Sequence, residues 1–166
     1  EIRKAVVYVS QEDFLFTASV RENLKMGNEE ISDEEMIEIS RKMGVHQFVS
    51  KMERAYDSVL EERGKNLSKG QRQKLSLTRA ILRHPKILIL DEATSNMDSI
   101  SEREILNYIK GIRDITLILI SHRINVIADS DCIYVLQKGN IVARGTDKQL
   151  KEQCKLYRQL YGEEEK

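Results

Sequence analysis

Two adjacent acids, Asp91 and Glu92, follow the apolar run Ile87 to Leu90 and precede Ala93-Thr94-Ser95. A buried strand ending in carboxylates puts them where α/β sheets bind ligands, at the carboxyl ends of the strands. One carboxylate there suits a hard cation such as Mg²⁺, which takes oxygen ligands, often through water. A second can orient and deprotonate an attacking water. The plain alternative is a strand that runs out into two solvated acids. For an isolated Asp-Glu pair that alternative wins; four apolar residues before it and Ala-Thr-Ser after it shift the balance.

A second group lies upstream. Leu67-Ser68-Lys69-Gly70-Gln71 opens a helical pattern. A serine in this place is first of all an N-cap. The free N–H groups and the positive end of the helix dipole also make an anion site, and Gly70 lets backbone approach an oxyanion closely. His122 follows a second apolar run, as Ser121-His122-Arg123. A lone histidine after a strand is more often structural; next to the strand of Asp91 it can contact a phosphate. Gln11 also ends a strand and is weak evidence alone.

The elements that must hold these residues follow from pattern. Ala5 to Val9 is β-branched and apolar and reads as a strand ending at Ser10-Gln11. Ser19 to Met26 reads as a short helix. Ser32 with Glu35 three residues on is a capping box opening a second helix, and residues 45–52 a third. Ser68 begins a long helix to about Arg83, ended by His84-Pro85. Ile87 to Leu90 and Ile115 to Ile120 are continuous apolar runs, the pattern of parallel strands covered on both faces. Asp98 or Ser99 caps a helix to about Gly111, and residues 123–128 form a short one. Residues 132–136 and 140–144 flank Gln137-Lys138-Gly139, two strands and a tight turn. Helices over residues 146–150 and 155–161 close the chain before a frayed tail. The expected fold is α/β, with a mostly parallel sheet and a helical insert over residues 19–83; residues 1–18 and 84–166 form the sheet core.

Composition removes several classes. The 27 basic and 27 acidic residues cancel, so charge makes no case for nucleic acid or an acidic membrane surface. No apolar run approaches the roughly 20 residues a membrane span needs. Cys132 and Cys154 belong to no metal or redox motif, which predicts ordinary thiols in a reducing compartment. No GxxxxGK[ST] phosphate loop occurs in the 166 residues.

The order Gln11, LSKGQ, ILILDE, SNMD, SHR resembles the nucleotide-binding domain of ABC transporters. YVSQEDFLFTASVRENL, residues 8–24, resembles the exporter branch around its Q-loop. LSKGQRQKLSLTRAILRHPKILILDEATSNMD, residues 67–98, resembles the signature, Walker B and D-loop in sequence. KGNIVARGT resembles the hairpin after the switch histidine. Two departures stand out. Lys69 replaces the first glycine of LSGGQ, and Val59 and Glu61 fall where exporters usually carry Glu and Gly, before Glu62-Arg63-Gly64.

The resemblance implies a P-loop NTPase-like fold and a set of roles. Gln11 is expected to help coordinate Mg²⁺ and sense the transmembrane domain. Asp91 is the expected Mg²⁺ ligand, Glu92 the general base, and His122 the switch histidine. Ser68, Gly70 and Gln71 are expected to hold the γ-phosphate of ATP, with Asp98 as the D-loop aspartate. The partners implied are a second nucleotide-binding domain, head to tail, and a transmembrane domain, at the cytoplasmic face of the membrane. The family's domain is expected to start before Glu1, so the chain reads as its N-terminally truncated, C-terminal portion, inactive by itself for want of the P-loop. A different class stays open: a non-catalytic module that docks a partner through its helical insert. Chromosome-maintenance ATPases share the signature but insert long coiled coils, and no heptad run appears here.

Overall fold

A computed structural model describes residues 5–11 and 14–164. Contacts divide the chain into two compact units, residues 1–118 and 119–166.

In the first unit, β1 (Val6–Val9) pairs in parallel with β2 (Ile87–Asp91), Val9 opposite Leu90. The strand β3 (Thr116–Ile120) completes a three-stranded sheet of order β1-β2-β3 and runs across the division between the units. Between β1 and β2 the chain makes α1 (Val20–Lys25), α2 (Asp33–Lys42), the single turn α3 (His46–Val49), two 3₁₀ turns and the 14-residue α4 (Lys69–Leu82). After β2, α5 (Ser99–Lys110) leads to β3.

Capping explains most of these boundaries. Ser19 and Glu22 close a reciprocal capping box on α1, and Ser68 and Gln71 do the same on α4. Ser32 accepts from the Glu35 N–H, so that expected box forms in its forward half. Asp98 caps α5 by accepting from the Ser101 N–H at 2.9 Å. At its other end, α4 stops where His84 turns to φ 49° ahead of Pro85. The expected third helix shortens to one turn. Its N-cap position is Val45, which offers no side-chain bond, and Ala55 at φ 45° redirects the chain.

Leu75, Leu77, Ile81 and Leu82 of α4 are buried, on more than one side of the helix, as are Val7 and Val9 of β1 and Leu88 and Leu90 of β2. Full coverage of both faces of the apolar strands does not occur. Ile87 and Ile89 of β2 are half-buried. On β3, Ile118 and Ile120 are 44% and 48% exposed; being two apart they share one face of the strand, and that face is half open to water.

In the second unit, α6 (Ile124–Ile127) precedes an antiparallel hairpin of β4 (Ile133–Gln137) and β5 (Asn140–Gly145), followed by α7 (Asp147–Gln153) and α8 (Lys155–Glu164). The hairpin turns on Lys138 and Gly139, both at positive φ, the requirement of a type I′ turn. Ile124, Ile133, Val135, Leu150 and Tyr157 form its core. The helix α8 continues to Glu164, past the residue 161 at which the pattern ended. No helix among the described residues is long and apolar enough to cross a membrane.

Candidate functional site

Parallel pairing brings the carboxyl ends of β1 and β2 side by side. Val9 opposes Leu90, so Ser10-Gln11 and Asp91-Glu92 leave the sheet side by side at its carboxyl end. Gln11 is exposed, and Asp91 and Glu92 are half-buried. Glu92 takes φ 51°, a left-handed backbone unusual for a residue with a Cβ. It turns the chain sharply off the strand, and Ser95 N–H returns to the Glu92 carbonyl at 3.2 Å. The hydroxyl of Tyr8, on β1, donates to Asp91 Oδ2 at 2.7 Å. This bond to the carboxylate pushes the Tyr8 hydroxyl's pKa up from its ordinary value.

Among the described residues no three or more His, Cys, Asp and Glu side chains gather into a metal site. Mg²⁺ is commonly held by one or two carboxylates together with water and substrate phosphates. Asp91, with Gln11 on the neighbouring strand end, offers such a partial oxygen set.

The start of α4 forms the second group. The Gln71 N–H donates to Ser68 Oγ at 3.2 Å, and Gln71 Oε1 accepts from the Ser68 N–H at 2.8 Å. The serine oxygen is thereby held as an acceptor, which leaves its O–H to donate outward. The amides of Lys69 and Gly70 are the first two of the helix and have no intrahelical acceptor. No acid lies in the first turn, so the helix itself carries no charge that offsets the positive end of its dipole. Arg72 donates to the Leu67 carbonyl at 2.7 Å and to that of Gly64 at 3.4 Å, holding the loop that delivers Ser68. Residues 68–71, Lys74 and 96–98 line an open cavity of about 420 Å³.

Asp98 belongs to this cavity wall. The Ser101 backbone amide, and then its hydroxyl, hold the Asp98 carboxyl below the usual carboxylate range. Ser101 Oγ in turn meets Lys74 Nζ at 2.9 Å.

The structure therefore brings the expected residues together in two groups of the first unit: Gln11, Asp91 and Glu92 at the carboxyl ends of β1 and β2, and Ser68, Gly70, Gln71 and Asp98 around the cavity. His122 lies in the second unit, exposed, between β3 and α6. Sequence reading did not single out Tyr8, whose pairing with Ile89 puts it on the face of Asp91. It also passed over Gln73, fully buried although polar. The signal for Gln73 was its position three residues after Gly70, on the same helix face.

The departures from the exporter pattern lie on the surface of the insert. Val59 is exposed and forms an isolated bridge with Ser19. Phe14 and Phe16 are also exposed and stack edge to face, 4.7 Å between ring centroids. Arg79 of α4 donates to the Phe14 carbonyl at 2.7 Å.

These features agree with what the chain is similar to. The sequence pattern of the family described as ABC transporter matches residues 1–95. A Rickettsia conorii protein whose name describes an export ATP-binding/permease protein is 41% identical over 165 residues, 99% of this chain and 29% of its own length. The leptomycin B resistance protein pmd1 of Schizosaccharomyces pombe is 40% identical, over 99% of this chain and 12% of its own. A solved structure of a bacterial Atm1-family ABC exporter with ATP bound superposes with a TM-score of 0.92 at 31% identity, covering 98% of this chain and 29% of that one. The chain belongs to the ABC transporter family, as an exporter-type nucleotide-binding domain with an α/β, P-loop NTPase-like fold. It spans less than a third of the length of these relatives.

Proposed function

We propose that this chain is part of the ATP-hydrolysing subunit of an ABC-type exporter, coupling hydrolysis to transport across a membrane. One observation carries the reading most directly. The start of α4 presents an outward serine hydroxyl and two open amides, with no acid in its own first turn, on a cavity lined by Lys69 and Lys74 against the single carboxylate of Asp98. That is an anion site by its chemistry.

In this reading Ser68, Gly70 and Gln71 hold the γ-phosphate of an ATP carried by a second nucleotide-binding domain, packed head to tail. Asp98 shapes the same junction. Asp91 and Gln11 hold Mg²⁺ at this chain's own nucleotide. When bound, the ion neutralises charge on the phosphates. Glu92 orients the attacking water and accepts its proton, and His122 contacts the γ-phosphate. Phosphoryl transfer depends mainly on such positioning and charge stabilisation. A transmembrane domain docks over the exposed Phe14, Phe16 and Val59 surface, which places the chain at the cytoplasmic face. Since the 166 residues carry no GxxxxGK[ST], a polypeptide of these residues alone neither binds ATP tightly nor hydrolyses it.

The intact protein in lipid vesicles tests the reading. We expect Mg²⁺-dependent phosphate release that Asp91→Asn abolishes. A wild-type protein without ATP hydrolysis, or an Asp91→Asn variant as active as wild type, overturns it.

A further inference from the structure

Gln73 is 0% exposed, one helical turn beyond Gly70. Its Oε1 accepts from the Asn96 N–H at 3.0 Å, and its Nε2 reaches Ser95 Oγ at 3.4 Å. The same residue is met from a second side. A Cβ at Gly70 would lie 3.0 Å from the Asn96 carbonyl oxygen. Gln73 thus holds the N–H of residue 96 with its side-chain oxygen, and the carbonyl of residue 96 lies too close to position 70 to leave room for a side chain there. One residue further on, Lys74 reaches Ser101.

The gripped turn leads straight back to the carboxylates. Ser95 N–H bonds the Glu92 carbonyl, and Met97 N–H bonds the Thr94 carbonyl at 3.1 Å. Ala93, Thr94 and Met97 are buried. Glu92 sits at the head of this turn with its backbone in the left-handed region. Such a conformation persists only where the surroundings hold it.

We propose that Gln73 is a positioning residue for the reaction, holding the Ser95–Asn96 turn so that Glu92 and the Ser68–Gln71 phosphate cradle keep a fixed relation. The proposal rests on the functional reading above. Fully buried, Gln73 acts through other residues rather than on the reacting atoms. Its oxygen sets where the 92–98 turn lies against α4, and the turn sets the Glu92 backbone.

The test uses the intact protein and two variants. Gln73→Met keeps the length and removes the acceptor, whereas Gln73→Glu keeps an oxygen for the Asn96 N–H. Small displacements of catalytic groups cost rate far more than ground-state binding, so Gln73→Met should lower kcat about tenfold or more with KM for ATP within about threefold, while Gln73→Glu stays within about threefold of wild type in both. Hydrogen exchange without nucleotide should be faster for the 95–97 peptide in Gln73→Met than in wild type or Gln73→Glu. Equal kcat in Gln73→Met and wild type, or losses in both variants that follow thermal stability alone, overturn the proposal. Should Gln73→Met not fold, exchange in the wild-type protein decides. A non-hydrolysable ATP analogue with Mg²⁺ should slow peptides 68–74 and 92–98 together, and slowing of 68–74 alone refutes the link. A wild-type protein that hydrolyses no ATP counts against the functional reading instead, while the nucleotide-free exchange comparison still judges Gln73.

Discussion

The hydroxyl of Tyr8 donates to Asp91 Oδ2 at 2.7 Å across the parallel pair β1–β2. The bond fixes one oxygen of the carboxylate that the functional reading assigns to Mg²⁺. Hydrogen-bond partners behind a metal ligand orient it, and their loss commonly costs about 10- to 100-fold in metal affinity or activity.

Tyr8→Phe in the intact protein should therefore raise the Mg²⁺ concentration needed for half-maximal ATP hydrolysis several-fold. The exposed ring of Tyr8 (57%) contributes little to the core, so the thermal midpoint should hardly move. A Mg²⁺ titration of ATPase rate is the measurement. An unchanged titration means that Asp91 needs no such partner.

Glu92→Gln keeps the shape and hydrogen-bonding capacity at the strand end and removes the base. General-base loss commonly lowers rate by about 10² to 10⁴. The expected outcome is an ATP-bound dimer that persists long enough to elute as such, with phosphate release nearly silent. Turnover equal to wild type would assign the base to another residue.

Lys69 and Gly70 differ in what surrounds them. Lys69 is exposed at the helix start, and its charge faces a site suited to anions. Any side chain at Gly70 must displace the Asn96 backbone, 3.0 Å from the new Cβ. In the intact protein, Lys69→Gly should change the ATPase rate by less than about tenfold, and Gly70→Asp, which adds a carboxylate beside the phosphate as well as the clash, by much more. Equal effects at the two positions would contradict the assignment of the cavity.

Acid should weaken the protein through carboxylates held in the charged form. Lys25 and then Arg21 pull the Asp33 carboxyl down, the Ser19 hydroxyl and amide pull down Glu22, and Ser101 pulls down Asp98. A folded pKa below the unfolded one gives stability that is present above the unfolded value and lost as pH falls through the folded one. The thermal midpoint should stay level from about pH 7 to about pH 5 and fall below about pH 4. Asp33→Asn should flatten that fall. A midpoint at pH 3 equal to that at pH 7 would show these contacts to be without weight.

Much of the molecule is local and therefore legible in sequence. Ser19 and Ser68 cap the helices they were expected to open, and of Asp98 and Ser99 it is Asp98 that caps the helix after the strand of Asp91, since a cap needs only its own next three residues. Lys138-Gly139 turns the hairpin where the pattern put it. The strand ILIL followed by Asp-Glu runs parallel to the strand ending before Gln11, as alternating strand and helix segments require. Coverage was not legible. An apolar run such as Ile115 to Ile120 says that the strand can be buried, and only the packing over its faces leaves Ile118 and Ile120 half in water. Nor could the chain's order show that Tyr8 meets Asp91, 83 residues away, or that Gln73 holds Asn96, 23 residues away. Those contacts depend on strand register and on which face of α4 meets the 92–98 turn. Both are decided by packing between distant segments, which no local pattern encodes.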